Sequence, residues 1–97
     1  MGKKKSKSNK LQIQIQYWGG WGYKSKVDAL RGYLMSQSDI ADKFELMEQM
    51  DKRISGNFEI YVLETHEILH SARRGQGRAE SLEARKAIAD HIRELVL

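Results

Sequence analysis

The sequence predicts an α/β sandwich with one mixed, four-stranded sheet in the order β-α-β-β-β-α. Three observations predict it. Residues 11–17 alternate strictly between apolar side chains and glutamine, residues 58–63 form a β-branched and aromatic run, and the last fifteen or so residues carry apolar groups at helical spacing on an otherwise charged surface.

Taken in order, Leu11, Ile13, Ile15 and Tyr17 fall on one face of the first strand, since successive strand side chains point to opposite sides. Trp18-Gly19-Gly20-Trp21-Gly22 then breaks the strand. Over residues 23–36, Tyr23, Val27, Leu30, Tyr33 and Leu34 recur at helical spacing, and Gly32 weakens that helix without forbidding it. The polar stretch 36–43 ends the helix. Residues 44–50 read as the second strand, and residues 51–57, with Ser55-Gly56-Asn57, as a turn region. Residues 58–63 are the clearest strand, and residues 68–72 return as its hairpin partner across 64–67. Residues 73–78 make a loop. In the closing helix Ala84, Ile88, Ile92 and Leu95 form the inward stripe. A crossover helix between the first two strands favours their parallel pairing, and the hairpin adds an antiparallel pair.

Ninety-seven residues, 40% hydrophobic and 31% charged, suffice for one domain and one modest core. No apolar run approaches the roughly 20 residues of a membrane span. The polar, lysine-rich start leaves no secretory hydrophobic region to expect. Cysteine is absent, which removes disulfides, cysteine-held zinc and thiol chemistry from the chain as written and fits a cytoplasmic location. The net charge of +4 is unevenly placed. Five of the 17 basic residues lie in the first ten positions, so residues 11–97 hold 12 against 13 acidic ones, a formal −1. The domain, 11–97, is therefore not basic, and no specific nucleic-acid partner is expected. Residues 1–10 read as a disordered lysine-rich tail.

That tail begins Met1-Gly2-Lys3-Lys4-Lys5-Ser6, which matches M-G-x-x-x-[ST] and makes Gly2 a candidate for N-myristoylation. One acyl chain holds a membrane only marginally; the neighbouring lysines, at about 1 kcal/mol each on an anionic surface, would supply the second signal. The expectation is peripheral membrane contact through residues 1–10.

His66-Glu67-Ile68-Leu69-His70 matches H-E-x-x-H, but that zinc motif requires a helix. In a hairpin the two imidazoles would stand about 13 Å apart, so no metal site is expected here. Gly19, Gly20 and Gly22, at a strand–helix junction, lack the full pattern of either phosphate-loop template and read as a tight turn. Residues 73–78, with three arginines, could clamp an anion or an RNA phosphate, though such a loop is usually just solvated. Trp18 and Trp21 are an unusual way to build a tight corner. One ring would enter the core and the other lie at the surface, or the two would form an aromatic platform for a partner.

Tyr17-Trp18-Gly19-Gly20-Trp21-Gly22-Tyr23-Lys24-Ser25-Lys26 closely resembles the opening of the selenoprotein W family, the Rdx group, in which the strand ends in Tyr-Cys-x-x-Sec (or Cys)-Gly-Tyr-Lys. The similarity continues at Gly56-Asn57-Phe58-Glu59-Ile60, at Ile68-Leu69-His70-Ser71 and at Gly75-x-Gly77, covering residues 11–97 in order. The resemblance implies a thioredoxin-like fold and thiol or selenol redox work. It also implies coupling to glutathione, with no resident cofactor, and regulatory protein partners such as 14-3-3-type adaptors. It maps the redox pair onto Trp18 and Trp21, in an attacking and resolving order it leaves open. Gly19, Gly20, Gly22, Tyr23 and Lys24 would then line the site, with the first turn of the helix stabilising an anion through backbone N–H groups and the helix dipole. His70 and Ser71 are weaker supporting candidates. The wider fold favours a cis-proline beside the active loop; this chain has no proline, and Ile54-Ser55 is expected in that neighbourhood.

Indole forms no dichalcogenide, so the chain as written cannot run that chemistry. Two readings follow. Selenocysteine is encoded by UGA, which some genetic codes read as tryptophan, so positions 18 and 21 would be selenocysteine written as Trp. Alternatively both tryptophans are real, and the protein is a redox-inactive interaction module that uses the Trp18/Trp21 loop.

Overall fold

The computed structural model describes residues 10–97. The expected lysine-rich tail and the Gly2 acylation site lie outside the described residues, apart from Lys10, which is exposed.

Strand β1 (Leu11–Trp18) leads into helix α1 (Tyr23–Met35), then strands β2 (Phe44–Asp51), β3 (Phe58–Val62) and β4 (Ile68–Ser71), a 3-10 turn (Ala72–Arg74) and helix α2 (Leu82–Val96). The sheet order is β2-β1-β3-β4. β1 runs parallel to β2, starting with Leu11 opposite Phe44, and antiparallel to β3, with Tyr17 opposite Phe58. β3 and β4 form the hairpin, with a register irregularity at Ile60/Tyr61. The expected architecture is therefore the observed one, and it is thioredoxin-like.

The period-2 pattern of β1 becomes burial directly: Ile13, Ile15 and Tyr17 are buried and the glutamines between them are not. Both helices lie on that one side. Val27, Leu30 and Leu34 of α1 and Ile88, Ala89 and Ile92 of α2 close the core over Ile13, Ile15, Phe58 and Ile60. Two expectations need correction. Leu95 is exposed, because the buried stripe of α2 runs through Ala89 instead and continues to the half-buried Val96. Ile40, inside the stretch read as polar, is fully buried.

Among the described residues no helix covers the opposite face of the sheet, which carries a ladder of amides. The Nε2 groups of Gln12, Gln14 and Gln16 donate to Glu45 (2.7 Å), Gln49 (2.7 Å) and Asp51 (3.1 Å), and Gln14 Nε2 also reaches the Tyr61 hydroxyl at 2.8 Å. A half-exposed sheet face stays wet and unpaired with other chains when its cross-strand polar groups bond one another.

At the other end of the hairpin, the Ser81 hydroxyl caps α2 by accepting from the Ala84 N–H at 3.0 Å. Arg93, near the C-terminus of α2, ties that helix to Asp39 at 2.7 Å and to the Gln37 carbonyl side-chain oxygen at 2.8 Å.

Candidate functional site

The β1–α1 corner is built by backbone bonds to the loop between β2 and β3. The Trp18 N–H donates to the Asn57 carbonyl at 3.0 Å, and the Gly19 N–H to the Asp51 carbonyl at 3.1 Å. The Tyr23 N–H closes the turn on the Gly20 carbonyl at 3.1 Å. Gly22 takes φ 72°, a left-handed conformation that costs glycine little, and so starts α1 directly after the turn. No side chain caps this helix; the Ser25 hydroxyl instead donates to the Gly22 carbonyl at 2.7 Å.

A side chain at either of two glycines would meet a neighbour. A Cβ on Gly19 would stand 2.7 Å from the Met50 sulfur, and one on Gly20 would stand 2.6 Å from the Trp18 ring. The Trp18 ring thus fits the corner only because Gly20 has no side chain.

Trp18 is half-buried against the core, and Trp21 is 70% exposed. Their ring centroids are 4.4 Å apart and nearly perpendicular. Tyr23 meets both edge-on, at 6.1 and 6.2 Å, and then meets Phe58 at 6.0 Å. Edge-to-face contact of this kind adds about 0.5–1.5 kcal/mol per pair beyond the area buried. Trp21 holds φ 55°, a left-handed value that side chains disfavour. The Arg78 guanidinium sits 5.6 Å from the Tyr23 ring centroid, in cation–π range, while Arg78 also pairs with Glu80 at 2.9 Å.

Trp18, Trp21 and Tyr23 are therefore together, with Gly19, Gly20 and Gly22 between and beside them. The other expected members are not. The Lys24 ammonium is committed to Glu48 (2.7 Å) and Asp28 (2.9 Å), and these bonds hold its pKa above the usual lysine value, Glu48 contributing most. Glu48 is pushed up by burial, but its bonds to Lys24 and to Arg31 at 2.5 Å outweigh that and leave it below the ordinary carboxylate range. The backbone N–H of Tyr23 is used in the turn, so it is not free to hold an anion. His70 is buried behind Phe58, edge-on at 6.0 Å, and its Nε2–H donates to the Gly77 carbonyl at 2.9 Å. It fastens the loop before α2. Ser71 donates from its hydroxyl to Glu59 and takes no part in the corner.

His66 and His70 do not meet either. His66 turns at the hairpin end with φ 63° and stacks on Tyr61, 11° from parallel at 6.0 Å, whereas His70 faces the core. Nor do the arginines of 73–78 gather into one clamp, because Arg78 is held at Tyr23 and Glu80 while Arg73 bonds Asn57.

Sequence reasoning missed the residues that brace the corner from behind. Asp51 accepts from Asn57 (2.7 Å), Ser55 (2.8 Å) and Gln16 (3.1 Å), and these bonds, Asn57 first, hold its carboxyl below the usual range. Asn57 in turn accepts from Arg73 Nε at 3.1 Å. The neighbourhood assigned to Ile54-Ser55 belongs to Asn57: its carbonyl touches the corner, whereas Ile54 is 81% exposed and Ser55 acts through Asp51. Only a turn signal at Ser55-Gly56-Asn57 marked this position in the sequence.

No family model matches the chain, and no curated protein matches it. A solved structure does. The sheet order, the two helices on one face and the corner at the end of β1 define a thioredoxin-like α/β protein. In particular, the chain has the fold of a selenoprotein W-related protein from Vibrio cholerae, with a TM-score of 0.67 and 20% identity over 92% of this chain and 100% of that one. The shared fold agrees with the family whose motifs the sequence resembles.

Proposed function

We propose that this is a selenoprotein W-like redox protein of the thioredoxin fold, in which positions 18 and 21 are selenocysteines encoded by UGA and written as tryptophan. One observation supports the reading most. The two positions flank two glycines in one tight turn, where a central strand hands over to a helix N-terminus. A chalcogenolate at one position attacks a substrate disulfide and expels one thiolate, giving a mixed dichalcogenide. The group at the other position then attacks that bond, releases the second thiol and leaves a bond between positions 18 and 21. Two electrons and two protons pass from protein to substrate, and glutathione returns them. The N-terminus of α1 supplies positive potential; Lys24 and Arg78, already paired with Glu48 and Glu80, contribute little.

The intact mass and selenium isotope pattern of protein from its native source test this. Selenium, or a cysteine-sized residue, at either position supports redox work. Tryptophan masses at both positions end it.

The conformation of Trp21 favours a second reading. A 70% exposed indole held at φ 55° is a surface feature kept at a conformational cost. With real tryptophans the corner is a redox-inactive platform for a protein partner, in the manner of aromatic hot spots. Cross-linking from native extract should then capture a partner with the unaltered chain and lose it with Trp21→Ala.

A further inference from the structure

On the face of the sheet away from the helices lies an open cavity of about 250 Å3, lined by Gln16, Glu59, Tyr61, His66, Ile68 and Arg73. It uses none of the residues proposed for redox work or partner binding, although Gln16 and Arg73 also brace the β1–α1 corner from behind through Asp51 and Asn57. Ligand pockets run from roughly 300 to 1,000 Å3, so a space of this size suits a ligand about as large as an amino acid.

The charges on its wall are one of each sign, and they do not cancel each other. Arg73 and Glu59 make no ion pair with each other or with any other described residue. The Arg73 guanidinium is nevertheless oriented, because its Nε donates to Asn57, itself buried and held by Asp51. Its two Nη groups have no hydrogen-bond partner among the described residues, and they are the fork that grips a carboxylate. Glu59 is held by the Ser71 hydroxyl and by the Arg73 backbone N–H at 3.2 Å, which fixes its position without neutralising it. Gln16 spends its amide N–H on Asp51 and keeps its side-chain carbonyl as a spare acceptor. The stacked rings of Tyr61 and His66, together with Ile68, supply the less polar part of the lining.

We propose that this cavity binds a free aromatic α-amino acid. Its carboxylate goes to Arg73, its ammonium to Glu59 and the Gln16 carbonyl, and its ring to the wall of His66, Tyr61 and Ile68. A simple anion is disfavoured by the Glu59 carboxylate, and a dianion such as phosphate more so. A peptide terminus brings only one of the two charges.

The test uses the 15N-labelled full chain titrated with L-phenylalanine, following the Arg73 Nε–H, the Gln16 side-chain amide and the backbone amides of Tyr61 and His66. Saturable shifts at these groups are expected. N-acetyl-L-phenylalanine, which lacks the ammonium and mimics a C-terminus, should bind at least about tenfold more weakly. The same holds for L-phenylalaninamide, which lacks the carboxylate, and for glycine, which lacks the ring. Arg73→Gln should weaken phenylalanine to the level of its amide while leaving the amide itself unaffected. Arg53→Gln, in the exposed β2–β3 loop, should change nothing. The proposal is overturned by an absence of saturable shifts at millimolar phenylalanine, by equal binding of the blocked analogues, or by binding indifferent to Arg73→Gln. None of these outcomes depends on whether positions 18 and 21 carry selenium, sulfur or indole.

Discussion

The indole of Trp18 lies across the α-carbon of Gly20, so close that a methyl group there would fall 2.6 Å from the ring. The two residues therefore depend on each other. Gly20→Ala should lower the unfolding free energy by about 1–3 kcal/mol, the usual cost of overpacking. In a Trp18→Ala background the same change should be neutral or stabilising by up to about 1 kcal/mol, since alanine restricts the unfolded chain. Urea denaturation of the four proteins measures the coupling directly. A cost for Gly20→Ala that persists without the indole would refute it.

Trp21 should tolerate replacement better. Its left-handed backbone costs on the order of 1 kcal/mol, and little of its ring is buried. Trp21→Asn, a residue that tolerates that conformation, relieves this cost but removes two edge-to-face contacts, so stability is expected to stay within about 1 kcal/mol of the parent. A thermal midpoint that drops by more than this in Trp21→Asn would show that the ring is a packing element after all.

Phe58 links the corner to the interior, meeting Tyr23 on one side and His70 on the other while wholly buried. Phe58→Ala should cost about 3–5 kcal/mol. For a domain whose whole stability is on the order of 5–15 kcal/mol, that is a large share. Denaturant midpoints should show it, and Phe58→Leu should recover most of the loss.

Acid should loosen the corner through Asp51. Its folded pKa lies below the unfolded value of about 3.9, so its bonds to Asn57, Ser55 and Gln16 contribute stability that is complete above that pH and disappears as pH falls through the folded pKa. Asp51→Asn should accordingly lower stability at neutral pH and flatten part of the acid-side decline. Asp39, Glu48 and Glu80 are depressed in the same direction, so the variant should retain a residual slope. Urea midpoints measured from neutral pH down to about pH 2, below the carboxylate range, give both curves.

The elements were legible wherever periodicity was long and clean. The Gln–Ile alternation of β1 and the β-branched run of β3 translate straight into paired central strands. The misread positions have local causes. Ile40 is a single apolar residue in polar company, with no period to reveal it, and Leu95 was chosen by spacing alone although the helix turns Ala89 and Val96 inward. At the site, the aromatic pair could be read because Trp18 and Trp21 are neighbours in sequence. The Asp51–Asn57–Arg73 chain of bonds and the cavity between Gln16 and His66 could not, since only strand pairing brings those residues together.

The glutamine ladder on the uncovered face settles an ambiguity that apolar burial leaves open. Slipping β2 by one residue would turn its core side chains to water, so burial forbids it. A slip by two restores the same inside–outside pattern and escapes that penalty. Moved one way, such a slip sets Gln12 opposite Met47 and takes Glu45 out of its reach; moved the other, it brings Met47 to where Gln49 accepts from Gln14. The thioether is a poor acceptor in either place. Three neutral amides thus act as a vernier on the strand pairing, and they keep Asp51 and Trp18 level at the end of the sheet, where the corner needs both.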